Sequence, residues 1–194
     1  MVKQKKAAME LSIGTVVVLV LAMAMLVLGG VLVKKIFFGA TESVDELTGK
    51  VRNQIADLFA KGDSNIIIKL GSDKSADVKQ GDVDYGIAFG ATPENGVVDR
   101  NSFKYKLTLD RESPGNCIEK LGERTVEKFF LKPIGPPVSF TTSEKSIAFA
   151  RIGVTIPAGT QKCSQAVIID TYENGQPTGY FDTFTIRIVS KGFF

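Results

Sequence analysis

Residues 3–26 read "KQKKAAMELSIGTVVVLVLAMAML", and the fold depends on what this stretch is. Three lysines lead into two alanines, a methionine and one glutamate, after which an uncharged run extends from Leu11 to Val33. A cleaved secretory signal has an apolar region of roughly 7–15 residues and then a small-residue cut site. Here the uncharged run is 23 residues long, which at about 1.5 Å per residue crosses a hydrocarbon core about 30 Å thick. Lys34 and Lys35 follow it in the manner of an interfacial stop. The conventional signal-peptide reading fails on length, and the run predicts a retained transmembrane helix. Lys3, Lys5 and Lys6 with the amino terminus outweigh Lys34 and Lys35, so the N-terminus is expected in the cytoplasm and the large C-terminal part outside.

Beyond the lysines the apolar residues Val44, Leu47, Val51, Ile55, Leu58 and Phe59 recur at helical spacing, with Glu42, Asp45, Glu46, Lys50, Arg52 and Asp57 mostly on other faces. Ser43-x-x-Glu46 has the form of a capping box, and Gly62-Asp63-Ser64 ends the pattern. Two arrangements fit: a near-continuous rod from about Met9 to Lys61, or a transmembrane helix followed by a separate amphipathic helix lying on the membrane or on the domain. From Asn65 onward the period changes to two. "SFKYKLTLD" alternates Phe103, Tyr105, Leu107 and Leu109 with Lys104, Lys106 and Thr108, and "VDYGIAF" and "TFTIRIV" alternate likewise. With "NIIIKL", "VEKFFL", "IAFARIGVTI" and "QAVIIDTY" about seven strands are expected. Asn95-Gly96, Asn174-Gly175 and the Gly-Pro-Pro at 135–137 supply turns. The expected fold class is α+β, a long N-terminal transmembrane α-helix followed by an antiparallel, immunoglobulin-like β-sandwich.

Composition narrows the function. The chain has 194 residues, a net charge of +3 and no histidine, so it holds one anchor and one domain of ordinary size. Without histidine there is no Ser-His-Asp or Cys-His arrangement and no His-ligated metal. Cys117 and Cys163 are too few for a four-thiolate zinc site. They suit one disulfide in a domain exported to an oxidising side, closing a loop of 45 intervening residues. Asp73, Asp77, Asp82 and Asp84 crowd one polar segment but miss the EF-hand spacing, so a solvated loop is expected there. The basic residues form no patch interleaved with aromatics, so no nucleic-acid footprint is evident. No catalytic residue, cofactor or metal is implied, and the chain is not expected to be an enzyme.

A short basic leader ending Lys-Lys-Ala, a long apolar N-terminal helix, an amphipathic continuation and a C-terminal β domain together resemble a type IV pilin-like subunit of the archaeal kind, the pilins and archaellins. As motif the resemblance covers residues 5–33; as architecture it covers the whole chain. In that family a membrane peptidase cuts on the cytoplasmic side, and the apolar helix then packs into a filament core. Carried over, the resemblance implies processing at Lys6-Ala7 with Ala8 as the first mature residue. It also makes Glu10 the acidic residue that meets a neighbouring subunit's terminal amine in assembly. Alanine stands where the family commonly has glycine, and Glu10 would be third where the family's glutamate is commonly fifth. On the residues alone, Glu10 is equally a carboxylate complementing the positive end of a helix.

The domain organisation so expected is a leader over 1–7 subject to cleavage, the N-terminal transmembrane and amphipathic helix over 8–62, and an extracellular β-sandwich over 63–194. The leading expectation is a structural subunit of an extracellular type IV pilus-like filament, assembled through its hydrophobic N-terminal helix. Its implied partners are further copies of itself in a helical filament, the membrane before assembly, a leader peptidase and an assembly platform. The alternative is a single-pass, membrane-anchored surface binding domain that is not polymerised.

Overall fold

The computed structural model of the chain describes residues 14–29, 49–62, 64–113 and 115–190. The chain forms two compact units, Met1–Val44 and Asp45–Phe194. In the first, residues 14–29 are an α-helix, α1. Ala22, Met23, Ala24, Met25, Leu26 and Leu28, all strong helix formers, dominate its second half, while Val16, Val17, Val18, Val20 and Val27 are β-branched and weaker ones.

Among the described residues, the second unit holds helix α2 (Gly49–Phe59), then nine strands and two short helices. The strands are β1 (Ile66–Ile68), β2 (Ser75–Lys79), β3 (Tyr85–Ala91), β4 (Phe103–Leu109), β5 (Val138–Ser139), β6 (Thr142–Glu144), β7 (Ile147–Val154), β8 (Ser164–Glu173) and β9 (Gln176–Val189). The helices α3 (Cys117–Leu121) and α4 (Glu123–Glu127) lie between β4 and β5. One sheet has the order β1-β3-β7-β6 and the other β2-β9-β8-β4-β5. All strand pairs are antiparallel except β2 with β9.

The period-two pattern explains why the sheets face each other. On β4, Phe103, Tyr105, Leu107 and Leu109 are buried and the residues between them are half-exposed. They meet Ile87 and Phe89 of β3, Ala150 and Ile152 of β7, and Phe184 and Ile186 of β9 in one core. Phe89 meets Tyr105 edge to face at 5.0 Å, and Phe140 stacks on Phe103 at 5.1 Å, so aromatic rings join the two layers. Each fully buried large side chain contributes roughly 1.5–3 kcal/mol by leaving water.

Helix α2 makes a third layer on the outer face of the four-stranded sheet. Ile55 is fully buried with Phe149 and Ile147, and Val51, Phe59, Ile67 and Ala88 pack around them. Gly90 permits this approach: a Cβ there would stand 2.8 Å from the Ile55 Cγ2 and 3.1 Å from the Phe59 ring. Over Gly49–Phe59 the amphipathic segment lies on the domain, while residues 30–48, where the two expected arrangements differ, lie outside the described residues. Its capping-box residues, Ser43 and Glu46, lie outside the described residues.

The expected fold class is corrected. Among the described residues no helix is long and apolar enough to cross a membrane. The helical span of α1 is 16 residues, about 24 Å at 1.5 Å per residue against about 30 Å of hydrocarbon. The remaining residues of the expected rod, 9–13 and 30–48, lie outside the described ones. The chain is mainly β with short helices, and its sandwich is not purely antiparallel because β2 runs parallel to β9. One strand assignment fails as well: "VEKFFL" is the end of α4 and a turn, not a strand. Val126, Phe129 and Phe130 are buried at spacings of three and one, the helical way of presenting three apolar residues to one core.

Candidate assembly surface

Helix α1 carries apolar residues around its whole circumference. Its eleven large apolar side chains, from Val16 to Leu28, are 52–78% exposed, and no charged residue occurs in the described span. A helix apolar on every face belongs inside a large core or in lipid, because one stripe suffices to seat a helix on one neighbour. The small residues Gly14, Ala22, Ala24 and Gly29 leave parts of this surface low, and a Cβ added at Gly14 or Gly29 would meet nothing within 4 Å. Small residues of this kind let helix backbones approach closely. Chemically α1 is suited to burial against apolar surroundings.

The second unit is braced internally. Cys117 and Cys163 form a disulfide with their Cα atoms 5.0 Å apart, as the sequence predicts. It ties the start of α3 to the approach to β8. Cross-linking at a sequence separation of 46 stabilises by about 4 kcal/mol in the chain-entropy picture. Buried Gln165 supports the same corner: its amide donates to the Asp110 carbonyl at 2.6 Å and its carbonyl accepts the Ile118 N–H at 3.3 Å. Asn116 caps α3 by accepting the Glu119 N–H at 2.8 Å, and its amide donates to the Arg111 carbonyl.

A second polar device lies on the outer face of the four-stranded sheet. Arg151 donates to the Asp84 carboxylate and, through its other terminal nitrogen, to the Asp84 carbonyl, both at 2.7 Å. Both side chains are 16% exposed. The guanidinium lies over Gly86, where a Cβ would overlap it, and a Cβ at Gly153 would stand 2.5 Å from the Asp84 carboxylate. Asp84 is held at φ +54° and donates its N–H to the Thr155 hydroxyl. Sequence reading missed this pair, although two glycines inside "VDYGIAF" and "IAFARIGVTI" signal a close approach.

The crowded aspartates separate. Asp73 and Asp77 pair with Arg187 at 3.4 and 2.6 Å, Asp82 accepts the Lys79 N–H, and Asp84 holds Arg151. The hydrogen bond to Asp77 and its charge hold the Arg187 guanidinium protonated beyond its usual range. Among the described residues no group of three or more carboxylates and thiols is placed to hold a metal ion. Burial pushes the Asp170 carboxyl up against the pull of Lys106, and the Ser113 hydroxyl with the Glu112 N–H holds the Asp110 carboxyl low. The expected processing and assembly residues Lys6, Ala7, Ala8 and Glu10 lie outside the described residues.

No protein-family model matches the chain, and no curated protein matches it. Among solved structures, an SrpA adhesin mutant from Streptococcus sanguinis is 13% identical with a TM-score of 0.39, over 67% of this chain and 60% of the adhesin. A Niemann-Pick type C2 protein from the Japanese carpenter ant is 13% identical with a TM-score of 0.33, over 65% of this chain and 90% of that one. A family 123 glycoside hydrolase from Clostridium perfringens is 15% identical with a TM-score of 0.29, over 63% of this chain and 24% of that one. The chain thus spans about three fifths of the adhesin's length.

Proposed function

We propose that the chain is a structural subunit of an extracellular type IV pilus-like filament, held at the cell membrane before assembly and packed through α1 afterwards. One observation carries the reading: α1 exposes large apolar side chains on every face, while the second unit buries most of its own in two cores. Such a surface needs cover, and copies of α1 supply it in kind. The disulfide fits an oxidising, external location for the second unit. The leader residues Lys6 and Ala7 and the acid Glu10 supply the processing and pairing chemistry that the pilin-like reading requires. Polymerisation exchanges lipid contacts for helix contacts, with further copies of the chain, a leader peptidase and an assembly platform as partners. No catalysis is assigned.

Shearing cells that express the chain, then sequencing the released protein from its N-terminus, tests this. The expected result is polymer whose chains begin at Ala8. Surface protein that begins at Met1 or Val2 and sheds no polymer overturns the reading in favour of an unpolymerised anchored domain.

A further inference from the structure

Where β4 begins and the β8–β9 hairpin ends, an open cavity of about 430 Å³ is lined by Asn101, Ser102, Lys104, Pro137, Tyr172 and Asn174. Its backbone is tightly braced. Asn174 and Gly175, at φ +52° and +79°, close β8 onto β9 in a two-residue turn, and the Asn174 N–H donates to the Ser102 carbonyl at 3.1 Å. The Asp99 carboxylate accepts the Asn101 N–H and the Ser102 hydroxyl, each at 3.0 Å, and its carbonyl accepts the Phe103 N–H. The side chains facing the cavity are, by contrast, uncommitted. Among the described residues, the Asn101 and Asn174 amides, the Tyr172 hydroxyl and the Lys104 ammonium take part in no hydrogen bond or ion pair.

The register says what kind of ligand this serves. Lys104 lies between Tyr172 of β8 and Ser139 of β5, so the strand beneath the cavity is paired on both sides. A peptide cannot extend the sheet at β4, and recognition over that strand falls to side chains. Two primary amides and a phenol offer donors and acceptors together, which is what hydroxyl groups match. Tyr172 adds an apolar ring face beside a polar tip. Lys106, one rung along, stands opposite Asp170, whereas Lys104 has no acid across from it.

We propose that this cavity binds a carbohydrate bearing a carboxylate. The Tyr172 ring packs on the C–H face of a sugar, the Asn101 and Asn174 amides exchange hydrogen bonds with its hydroxyls, and Lys104 pairs with the acid. The site lies within Asp45–Phe194 and does not depend on whether the chain polymerises. The test is calorimetric titration of the full chain, detergent-solubilised and unpolymerised, with tetragalacturonate and with neutral maltotetraose. Tetragalacturonate is expected to bind more tightly than maltotetraose. Lys104→Gln should weaken it about tenfold, the loss of one charge-assisted contact, while leaving maltotetraose unchanged. Tyr172→Ala should abolish both, with an unchanged melting temperature showing that the fold is intact. Tetragalacturonate that fails to bind at millimolar concentration, or binds the Tyr172→Ala chain as well as the parent, overturns the proposal. Equal affinity for the two saccharides overturns the role given to Lys104.

Discussion

Helix α1 and helix α2 use similar apolar residues and differ in where the cover for them comes from. In α2 the apolar residues form one stripe: Ile55 is fully buried, Val51 and Phe59 pack beside it, and Leu58 at the stripe's edge stays 41% exposed. The sheet beneath it is shaped to receive that stripe, down to the missing side chain at Gly90. In α1 there is no stripe, because every face is apolar, and every described side chain is exposed. An amphipathic helix can be satisfied by its own chain. A helix apolar all round requires several neighbours at once, as inside a large core or in lipid.

This contrast breaks most sharply at Leu21, in the middle of α1. Leu21→Asp puts a charge where the proposed filament is driest, and an uncompensated charge there is very costly. Sheared polymer should fall to nothing while the melting temperature of the second unit stays at the parent value. Polymer at parent yield would mean that α1 is not the packing element. A smaller effect is expected at Ile55. Ile55→Ala removes buried methyls from beneath α2 and should cost about 3 kcal/mol of folding stability, read by urea denaturation of the solubilised chain. A loss below about 1 kcal/mol would show that α2 is only loosely seated, closer to α1 than the burial pattern indicates.

The smallest effect concerns the loop before β4. The Asn101 N–H and then the Ser102 hydroxyl hold the Asp99 carboxyl below its ordinary value of 3.8. A folded-state value lower than the unfolded one means that Asp99 stabilises the fold above pH 3.8 and that this contribution is lost as the pH falls through the folded value. Asp99→Ala should therefore lower the urea midpoint slightly at pH 7, and the gap to the parent chain should close under acid. A gap that is the same at pH 7 and pH 2.5 would mean that the loop is held by something other than the ionised carboxylate.

Much of the sandwich was legible because period two is a local signal. Phe103 to Leu109, Ile87 with Phe89, and Phe184 to Ile188 alternate in the sequence and alternate in burial. The Asn174-Gly175 hairpin was legible for a similar reason, since both residues sit at positive φ, which that dipeptide tolerates. Val83 shows the limit. It continues the alternation of "VDYGIAF" yet is 79% exposed, because Asp84 at φ +54° turns the chain before β3 begins. The short strands β2, β5 and β6 were not legible. Ser75–Lys79 has few apolar residues, and its strand conformation comes from lying parallel to β9.

The sequence by itself shows that residues 14–29 carry no charge, that α2 has one apolar face, that several later segments alternate, and that two cysteines suit one bridge. These follow from the order of side chains along the chain. Long-range packing seats α2 on the four-stranded sheet over Gly90, joins β2 to β9 in parallel, and sets Arg151 in a glycine-lined slot on Asp84. It also brings Asn101, Lys104, Tyr172 and Asn174 to one cavity. Periodicity reports which face of an element turns inward; it carries no information about which distant element will meet that face, because that choice is made by packing between segments far apart in sequence.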